Sequence, residues 1–112
     1  MFRLYWQLTL SALLLLLVSA CATKIGDDCR TNNDCAGAEA RSCDTSSPGG
    51  YCTIFDCEVN GCPEESVCVD FGSTTACMRR CDKKSCSRDG EGYVCRRDIG
   101  PVPFCYQAPE AL

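Results

Sequence analysis

The sequence predicts a small disulfide-rich fold of short β-hairpins and loops, organised as three four-cysteine repeats. The first observation is that 13 of the 112 residues are cysteine, a density typical of exported chains cross-linked by disulfides. The second is that large apolar side chains are sparse after residue 20, so a hydrophobic core alone would not stabilise the domain. The third is that the spacing of the cysteines repeats along the chain.

The first 20 residues are predicted to be a removed signal peptide. They carry one cation, Arg3, and an apolar segment of about ten residues that precedes the small residues Ser19 and Ala20. A membrane-spanning helix needs about 20 apolar residues, so this segment is too short. Residues 21–28 are predicted to form a short tether, residues 29–106 the cysteine-rich region, and residues 107–112 a frayed tail.

Twelve cysteines form three groups of four. The predicted units are unit 1 (residues 29–52), unit 2 (57–77) and unit 3 (81–105). Within each unit the cysteines are separated by four or five residues, then five to eight, then eight or nine, which indicates an internal repeat. The alternative is a chance alignment of cysteines. We expect all twelve to form disulfides: Cys29, Cys35, Cys43, Cys52, Cys57, Cys62, Cys68, Cys77, Cys81, Cys86, Cys95 and Cys105.

The disulfide pairing is not fixed by the sequence. Four cysteines in one unit allow three pairings. We favour the first cysteine with the third and the second with the fourth, a pairing that would interlock the loops of a unit. Bonds confined to the units would establish a modular fold, whereas bonds across residues 53–56 or 78–80 would indicate a single knotted domain.

Regular secondary structure is predicted to be sparse. A brief helix is expected only near residues 33–41, where three alanines occur. Residues 49–55 contain β-type side chains after a Gly-Pro-rich turn, and residues 66–71 alternate with a period of two before Gly72, so both predict strands. Residues 92–96 and 102–105 are expected to form a hairpin whose second arm is confined to an edge by Pro101 and Pro103.

The residue types argue against catalysis and against a metal site. The chain has no histidine, the commonest general base and a frequent metal ligand. It also has no C-x2-C motif, which zinc sites and thiol–disulfide enzymes favour. The carboxylate pairs Asp27-Asp28 and Glu64-Glu65 are adjacent in sequence and are expected to be solvated surface. No acidic loop has the spacing of an EF-hand. We therefore expect neither an enzyme nor a cofactor.

Charge is distributed unevenly along the chain. Residues 22–70 carry a net charge of −7 and residues 71–112 a net charge of +2. A candidate anion-binding cluster in the second half consists of Arg79, Arg80, Lys83, Lys84 and Arg88, which could contact phosphates or acidic glycans. The alternative is an ordinary solvated surface, since acidic residues are interleaved with these cations. The overall acidic balance argues against nucleic acid as a partner.

The segment Val18-Ser19-Ala20-Cys21 resembles the lipobox of bacterial lipoprotein signal peptides. The resemblance implies that the Cys21 thiol receives a diacylglyceryl group, that the preceding peptide is removed and that the new amino terminus is acylated. Ala22 follows the cysteine instead of an aspartate, which in that family implies sorting to the outer membrane of a Gram-negative bacterium. The remainder resembles small cysteine-rich envelope lipoproteins, most of which have no assigned activity.

Two functional hypotheses follow. The first is a lipid-anchored, disulfide-stabilised envelope protein that acts as a non-enzymatic binding or structural module. Its ligand is unknown, and its partners would be the membrane and an envelope protein or acidic glycan. The second is a secreted inhibitor or toxin-like protein, because Ala20-Cys21-Ala22 also fits an A-x-A cleavage site. Rigid loops at residues 46–51 or 99–104 would then enter a partner's cleft.

Overall fold

The computed structural model describes residues 5, 7, 23–35 and 41–108. Six short strands form three separate two-stranded antiparallel sheets: β1 (Ser42–Asp44) with β2 (Tyr51–Thr53), β3 (Ser66–Asp70) with β4 (Thr75–Arg79), and β5 (Tyr93–Arg96) with β6 (Phe104–Gln107). Two 3₁₀ turns lie at Asn32–Cys35 and Asp89–Glu91. The predicted small disulfide-rich fold of hairpins and loops is confirmed.

The same covalent arrangement occurs in each unit. The third and fourth cysteines lie directly opposite each other across the hairpin, as in Cys43 opposite Cys52, and the equivalent pairs of units 2 and 3 have the same register. Neither cysteine bonds to its opposite neighbour. Each instead bonds to a cysteine of the loop that precedes the hairpin in the unit. That loop is thereby attached to the hairpin by two disulfides.

The disulfides follow the pairing that the sequence analysis favoured. The first cysteine of each unit bonds to the third and the second to the fourth, which gives Cys29–Cys43, Cys35–Cys52, Cys57–Cys68, Cys62–Cys77, Cys81–Cys95 and Cys86–Cys105. All six bonds lie within units, and none in the described ranges crosses the connectors. Two bonded cysteines are 11–19 positions apart in sequence, a separation at which a cross-link stabilises the folded state by about 3 kcal/mol through its restriction of the unfolded chain.

The turns of the hairpins have identifiable chemical causes. Between β3 and β4, the Asp70 carboxylate accepts a hydrogen bond from the Gly72 amide at 2.8 Å, and Gly72 has a φ of 91°, a conformation that favours glycine. Between β1 and β2, Gly50 has a φ of 77° and passes against Cys29. A Cβ atom at Gly50 would lie 1.9 Å from the Cys29 carbonyl oxygen, so only glycine fits there.

The three units share one hydrophobic core. Its buried members come from all three hairpins and from the segment before unit 1: Ile25, Tyr51, Val69, Ala76, Cys77, Met78, Tyr93 and Phe104. Isolated β-bridges also link the hairpins, since Phe55 pairs with Ala76 and Arg80 with Phe104. The covalent units are therefore modular, but the folded body is a single packed structure.

Tyr51 connects all three hairpins through its hydroxyl group. The hydroxyl donates a hydrogen bond to the Cys105 carbonyl at 2.9 Å and accepts one from the Arg79 amide at 2.9 Å. Burial raises the pKa of Tyr51 above its ordinary value near 10. Nearby, the Thr53 hydroxyl donates to the Cys77 carbonyl at 2.7 Å. A buried polar group needs such partners, and here they join the hairpins to one another.

The structure corrects the predicted tether at residues 21–28. From Thr23 onward the chain belongs to the folded body, because Ile25 is fully buried in the shared core. The Gly26 amide donates to the Cys52 carbonyl, and the Cys52 amide donates to Asp27. The physical reason is that Ile25 is one of few large aliphatic side chains available to a small core. Cys21, Ala22 and most of the predicted signal peptide lie outside the described residues.

Other predicted elements agree in part. The strands expected near residues 49–55 and 66–71 and the hairpin of residues 92–96 and 102–105 are present, whereas β1 and β4 were not predicted. The brief helix becomes a 3₁₀ turn at Asn32–Cys35, and residues 36–40 lie outside the described ranges. Gln107, predicted in the tail, belongs to β6 opposite Tyr93. No helix in the described part of the chain has the length and apolarity to cross a membrane.

Candidate functional site

The predicted lipidation site, Cys21, lies outside the described residues, but the other cysteines bear on it. The chain has 13 cysteines, and the twelve from Cys29 to Cys105 are all bonded to one another. Cys21 therefore has no disulfide partner among them. The first described residue after it, Thr23, is already held in place. Its hydroxyl donates to the Asp34 carbonyl at 3.2 Å, and its carbonyl accepts a hydrogen bond from the Arg41 side chain at 2.7 Å.

The predicted anion-binding cluster does not form one uniform cationic surface. Arg80 pairs with Asp82 through two hydrogen bonds of 3.1 and 2.7 Å, and this contact holds the pKa of the Asp82 carboxyl below its ordinary value. Lys83 and Lys84 are exposed. Arg79 is half-buried beside Gly26. Arg79, Lys83 and Lys84 form no ion pair with any described residue and are the cations still available to an anion.

Arg88 is a correction to the predicted cluster, because its guanidinium group is buried and fully engaged. It donates hydrogen bonds to the carbonyl oxygens of Gly26, Gly50 and Pro48 at 3.1, 2.7 and 3.0 Å. It also pairs with Glu91 at 3.0 Å and lies 4.4 Å from the centre of the Tyr93 ring. A guanidinium has five donors in one plane, which suits it to several carbonyls. Arg88 therefore stabilises the loop of unit 1 and is not available to an external anion.

The cysteine sulfurs also form three close groups, but these are not metal sites. In each unit three sulfurs lie within 4.8 Å of one another, as for Cys29, Cys35 and Cys43. The closeness follows from the interlocked pairing, since every sulfur in these groups is in a disulfide. Metal ligation requires the thiolate form, which a disulfide does not provide.

A groove between the three hairpins is one of the concave surfaces of the described residues. Its volume is about 350 Å³. It is lined by aromatic and aliphatic side chains together with hydroxyl groups and one carboxylate: Asp44, Ser46, Tyr51, Thr53, Phe55, Phe71, Ser73, Thr74, Ala76, Met78 and Tyr106. We refer to it as the aromatic groove. The rings of Phe71 and Tyr106 lie 5.4 Å apart, and Phe55 is 40% exposed.

Sequence reasoning did not find the aromatic groove, although it named residues 46–51 as a loop to probe. Ser46 and Tyr51 of that loop do line the groove, whereas Phe55, Phe71 and Tyr106 come from three different places in the chain. Each of these aromatic residues lies in, or within two residues of, a strand that contains one cysteine. No local pattern indicates that packing of the hairpins brings them together.

No protein-family model, curated protein or solved structure matches the chain. The function must therefore be argued from the residues and their geometry.

Proposed function

We propose that the chain is a lipid-anchored, disulfide-stabilised protein of the bacterial cell envelope, attached through Cys21 to the outer membrane of a Gram-negative bacterium. In this proposal it is a non-enzymatic binding or structural module. The observation that supports the proposal most is the cysteine count. Twelve cysteines are paired in six disulfides, and the remaining one, Cys21, lies in a segment that resembles a lipobox.

The position of Thr23 adds a geometric consequence. Only Ala22 separates Cys21 from the first residue of the folded body, so the two Cα atoms flanking Ala22 lie at most about 7 Å apart. Two or three acyl chains on Cys21 would hold the protein durably, because a single chain binds only marginally. The folded body would then lie directly against the bilayer surface instead of at the end of a flexible tether.

The acidic groups whose pKa is lowered have structural partners. Ion pairs with Arg80 and Arg96 lower the pKa of the Asp82 and Asp98 carboxyls, and backbone hydrogen bonds in a turn lower that of Asp34. A rigid, cross-linked body with exposed loops is suited to binding, since its loops lose little entropy when a partner binds. Candidate partners are an envelope protein or an acidic glycan at Arg79, Lys83 and Lys84.

The anchor is tested by metabolic labelling with an alkyne-tagged fatty acid. We expect the label in the wild-type protein and in the control variant Ala22→Ser, which keeps the cysteine, and no label in Cys21→Ser. Label that persists in Cys21→Ser would contradict lipidation at this residue.

A secreted inhibitor or toxin-like protein is the second candidate. One observation favours it: Arg88 holds the carbonyls of Pro48 and Gly50, which fixes the loop at residues 46–51 in advance of binding. Cleavage after Ala22 would leave Thr23 as the amino terminus and keep all six disulfides. Mass spectrometry of the mature amino terminus separates the candidates, because a free Thr23 supports secretion and a modified Cys21 supports the anchor.

A further inference from the structure

We propose that the aromatic groove binds a basic side chain, lysine or arginine, presented by a protein partner. This inference rests on the proposed function as a binding module and names the chemistry of its partner. The groove is lined by residues from all three hairpins, with Tyr106 of β6 contributed by the third, so it exists only in the packed body. Its volume of about 350 Å³ lies at the lower end of the range for small-ligand sites, enough for one long side chain.

The aromatic rings supply the first part of the argument. Phe55, Phe71 and Tyr106 line the groove, and the faces of such rings carry a partial negative charge that attracts cations. The protein already makes this kind of contact at two rings, of which Tyr106 lines the groove and Tyr93 does not. The Arg88 guanidinium lies 4.4 Å from the Tyr93 ring centre, and that of Arg96 lies 5.9 Å from the Tyr106 ring centre.

The carboxylate of Asp44 supplies the second part. It is half-buried, and none of the described cations forms an ion pair with it. It accepts hydrogen bonds from the Ser46 amide at 3.0 Å, from the Ser46 hydroxyl at 2.5 Å and from the Ser47 hydroxyl at 3.1 Å. These bonds fix the carboxylate but leave one of its roughly four acceptor positions free. A fixed, half-buried negative charge beside apolar rings attracts a cation more strongly than an exposed one does.

The other charges near the groove do not cancel this attraction. Arg96, the cation beside Tyr106, is paired with Asp98 at 2.5 Å and is not among the lining residues. Residues 22–70 contribute five of the eleven lining residues and carry a net charge of −7, whereas residues 71–112 contribute the other six and carry +2, so the two segments together are net negative at −5. The surrounding field therefore favours the approach of a basic partner.

The hydroxyl groups of the groove can accept hydrogen bonds from a cation. The Ser46 hydroxyl donates its proton to Asp44, that of Thr53 to the Cys77 carbonyl and that of Thr74 to the Thr75 carbonyl, so each keeps a lone pair for an incoming donor. Ser73 and Tyr106 also line the groove, and their hydroxyls donate to no described acceptor. The charge of Asp44, and not the set of hydroxyls, therefore favours lysine or arginine, whose side chains have donors and no acceptor, over a neutral sugar.

The test uses the full mature protein, ¹⁵N-labelled and kept in uncharged detergent micelles at low salt. The probe is a blocked pentapeptide with one lysine between glycines, and its twin carries norleucine, which has a similar chain without the amino group. We expect the lysine peptide to shift the amide resonances of the groove residues in a saturable manner and the norleucine peptide to leave them unchanged. An arginine peptide should behave like the lysine peptide.

Variants assign the binding to the groove. We expect Asp44→Asn to weaken binding of the lysine peptide about tenfold, because an ion pair with a half-buried carboxylate contributes more binding free energy than an exposed ion pair does. The matched control Asp89→Asn removes the same charge from an exposed position outside the groove and should change little. Phe55→Leu, which removes a half-exposed ring, should weaken binding severalfold and provides a second assignment if Asp44→Asn folds poorly.

Several outcomes would overturn the proposal. Equal binding of the norleucine peptide would make the groove a general apolar site, and shifts caused by methyl glycosides instead would make it a sugar site. Absence of any groove shift, or equal effects of Asp44→Asn and Asp89→Asn, would also overturn it. Fatty-acid labelling is independent of these measurements, so a labelled protein that binds no basic peptide contradicts only the groove, and an unlabelled one that binds it contradicts only the anchor.

Discussion

Replacing Tyr51 by phenylalanine is the perturbation that most directly tests how the three units form one body. The Tyr51 hydroxyl is the donor to a carbonyl of unit 3 and the acceptor for the amide that follows unit 2. Tyr51→Phe keeps the ring and its packing against Tyr93 at 5.7 Å but leaves both backbone groups without their partner. Each unsatisfied buried group costs about 1–3 kcal/mol. We therefore expect the free energy of unfolding to fall by about 2–5 kcal/mol.

The assay is guanidinium chloride unfolding of the oxidised protein, followed by circular dichroism. A lower midpoint with an unchanged slope would indicate a loss of stability without a change in the surface exposed. Tyr93→Phe removes one hydrogen bond, to the Pro48 carbonyl at 2.8 Å, and should cost about 1 kcal/mol. Tyr106→Phe is the control, since among the described residues its hydroxyl makes one hydrogen bond, which it accepts from the neighbouring Gln107 side chain, and it should change stability by less than about 0.5 kcal/mol.

The ranking of these three variants carries the test. If Tyr51→Phe lost less than about 1 kcal/mol, or no more than Tyr106→Phe, the hydroxyl would not connect the units and each hairpin would be stabilised by its own disulfides.

Three further predictions concern stability. Gly50→Ala should prevent recovery of the six-disulfide protein after reduction and reoxidation, because a Cβ there would lie 1.9 Å from a backbone oxygen. The control Gly72→Ala places its Cβ near no other atom and should refold with a free energy of unfolding lower by about 1–2 kcal/mol. Equal yields of the oxidised protein from the two variants would contradict the steric argument at Gly50. Arg88→Lys should lower the free energy of unfolding by about 2–4 kcal/mol, since an ammonium group cannot reach several carbonyls at once. The control Arg80→Lys, on the surface, should lower it by less than about 0.5 kcal/mol. Similar losses in the two variants would show that the contacts of Arg88 with the carbonyls do not stabilise the fold. Burial raises the pKa of Tyr51, so the unfolded chain releases the phenolic proton near pH 10 while the folded chain retains it. The free energy of unfolding should therefore decline as the pH rises above about 10. A Tyr51→Phe variant with the same alkaline decline would show that Tyr51 is not its cause.

Cysteine spacing was sufficient to predict the three units, because it reports directly on the loops that the disulfides close, but it left three pairings open within each unit. The repeat predicted three units, and the favoured interlocked pairing occurs in each of them. Alternation in residues 66–71 predicted β3, although the observed burial does not alternate: Ser66 and Val69 are buried, Val67 and Cys68 are half-buried and Asp70 is exposed. In these cases the signal lies within a few residues of the element itself.

The parts that sequence reasoning missed depend on distant contacts. Strand β1 (Ser42–Asp44) has no apolar alternation and is placed by Cys43 opposite Cys52. The partners that bury Arg88 lie 38–62 residues away in sequence, so it looked like a surface cation. The aromatic groove likewise requires side chains from three hairpins to meet. Packing between the units, which no local pattern encodes, decides each of these features.

Disulfide mapping of the unreduced, mature protein by mass spectrometry tests the central claim most directly, namely that twelve cysteines bond within three units while Cys21 carries lipid. Residues 42–78 contain six cysteines and no lysine or arginine, so the digest must also cleave at acidic residues, which lie between each successive pair. We predict six cross-linked peptide pairs, each joining first to third or second to fourth, and a Cys21 peptide carrying acyl mass. A bond between units, a disulfide to Cys21 or a free thiol among the twelve would contradict it.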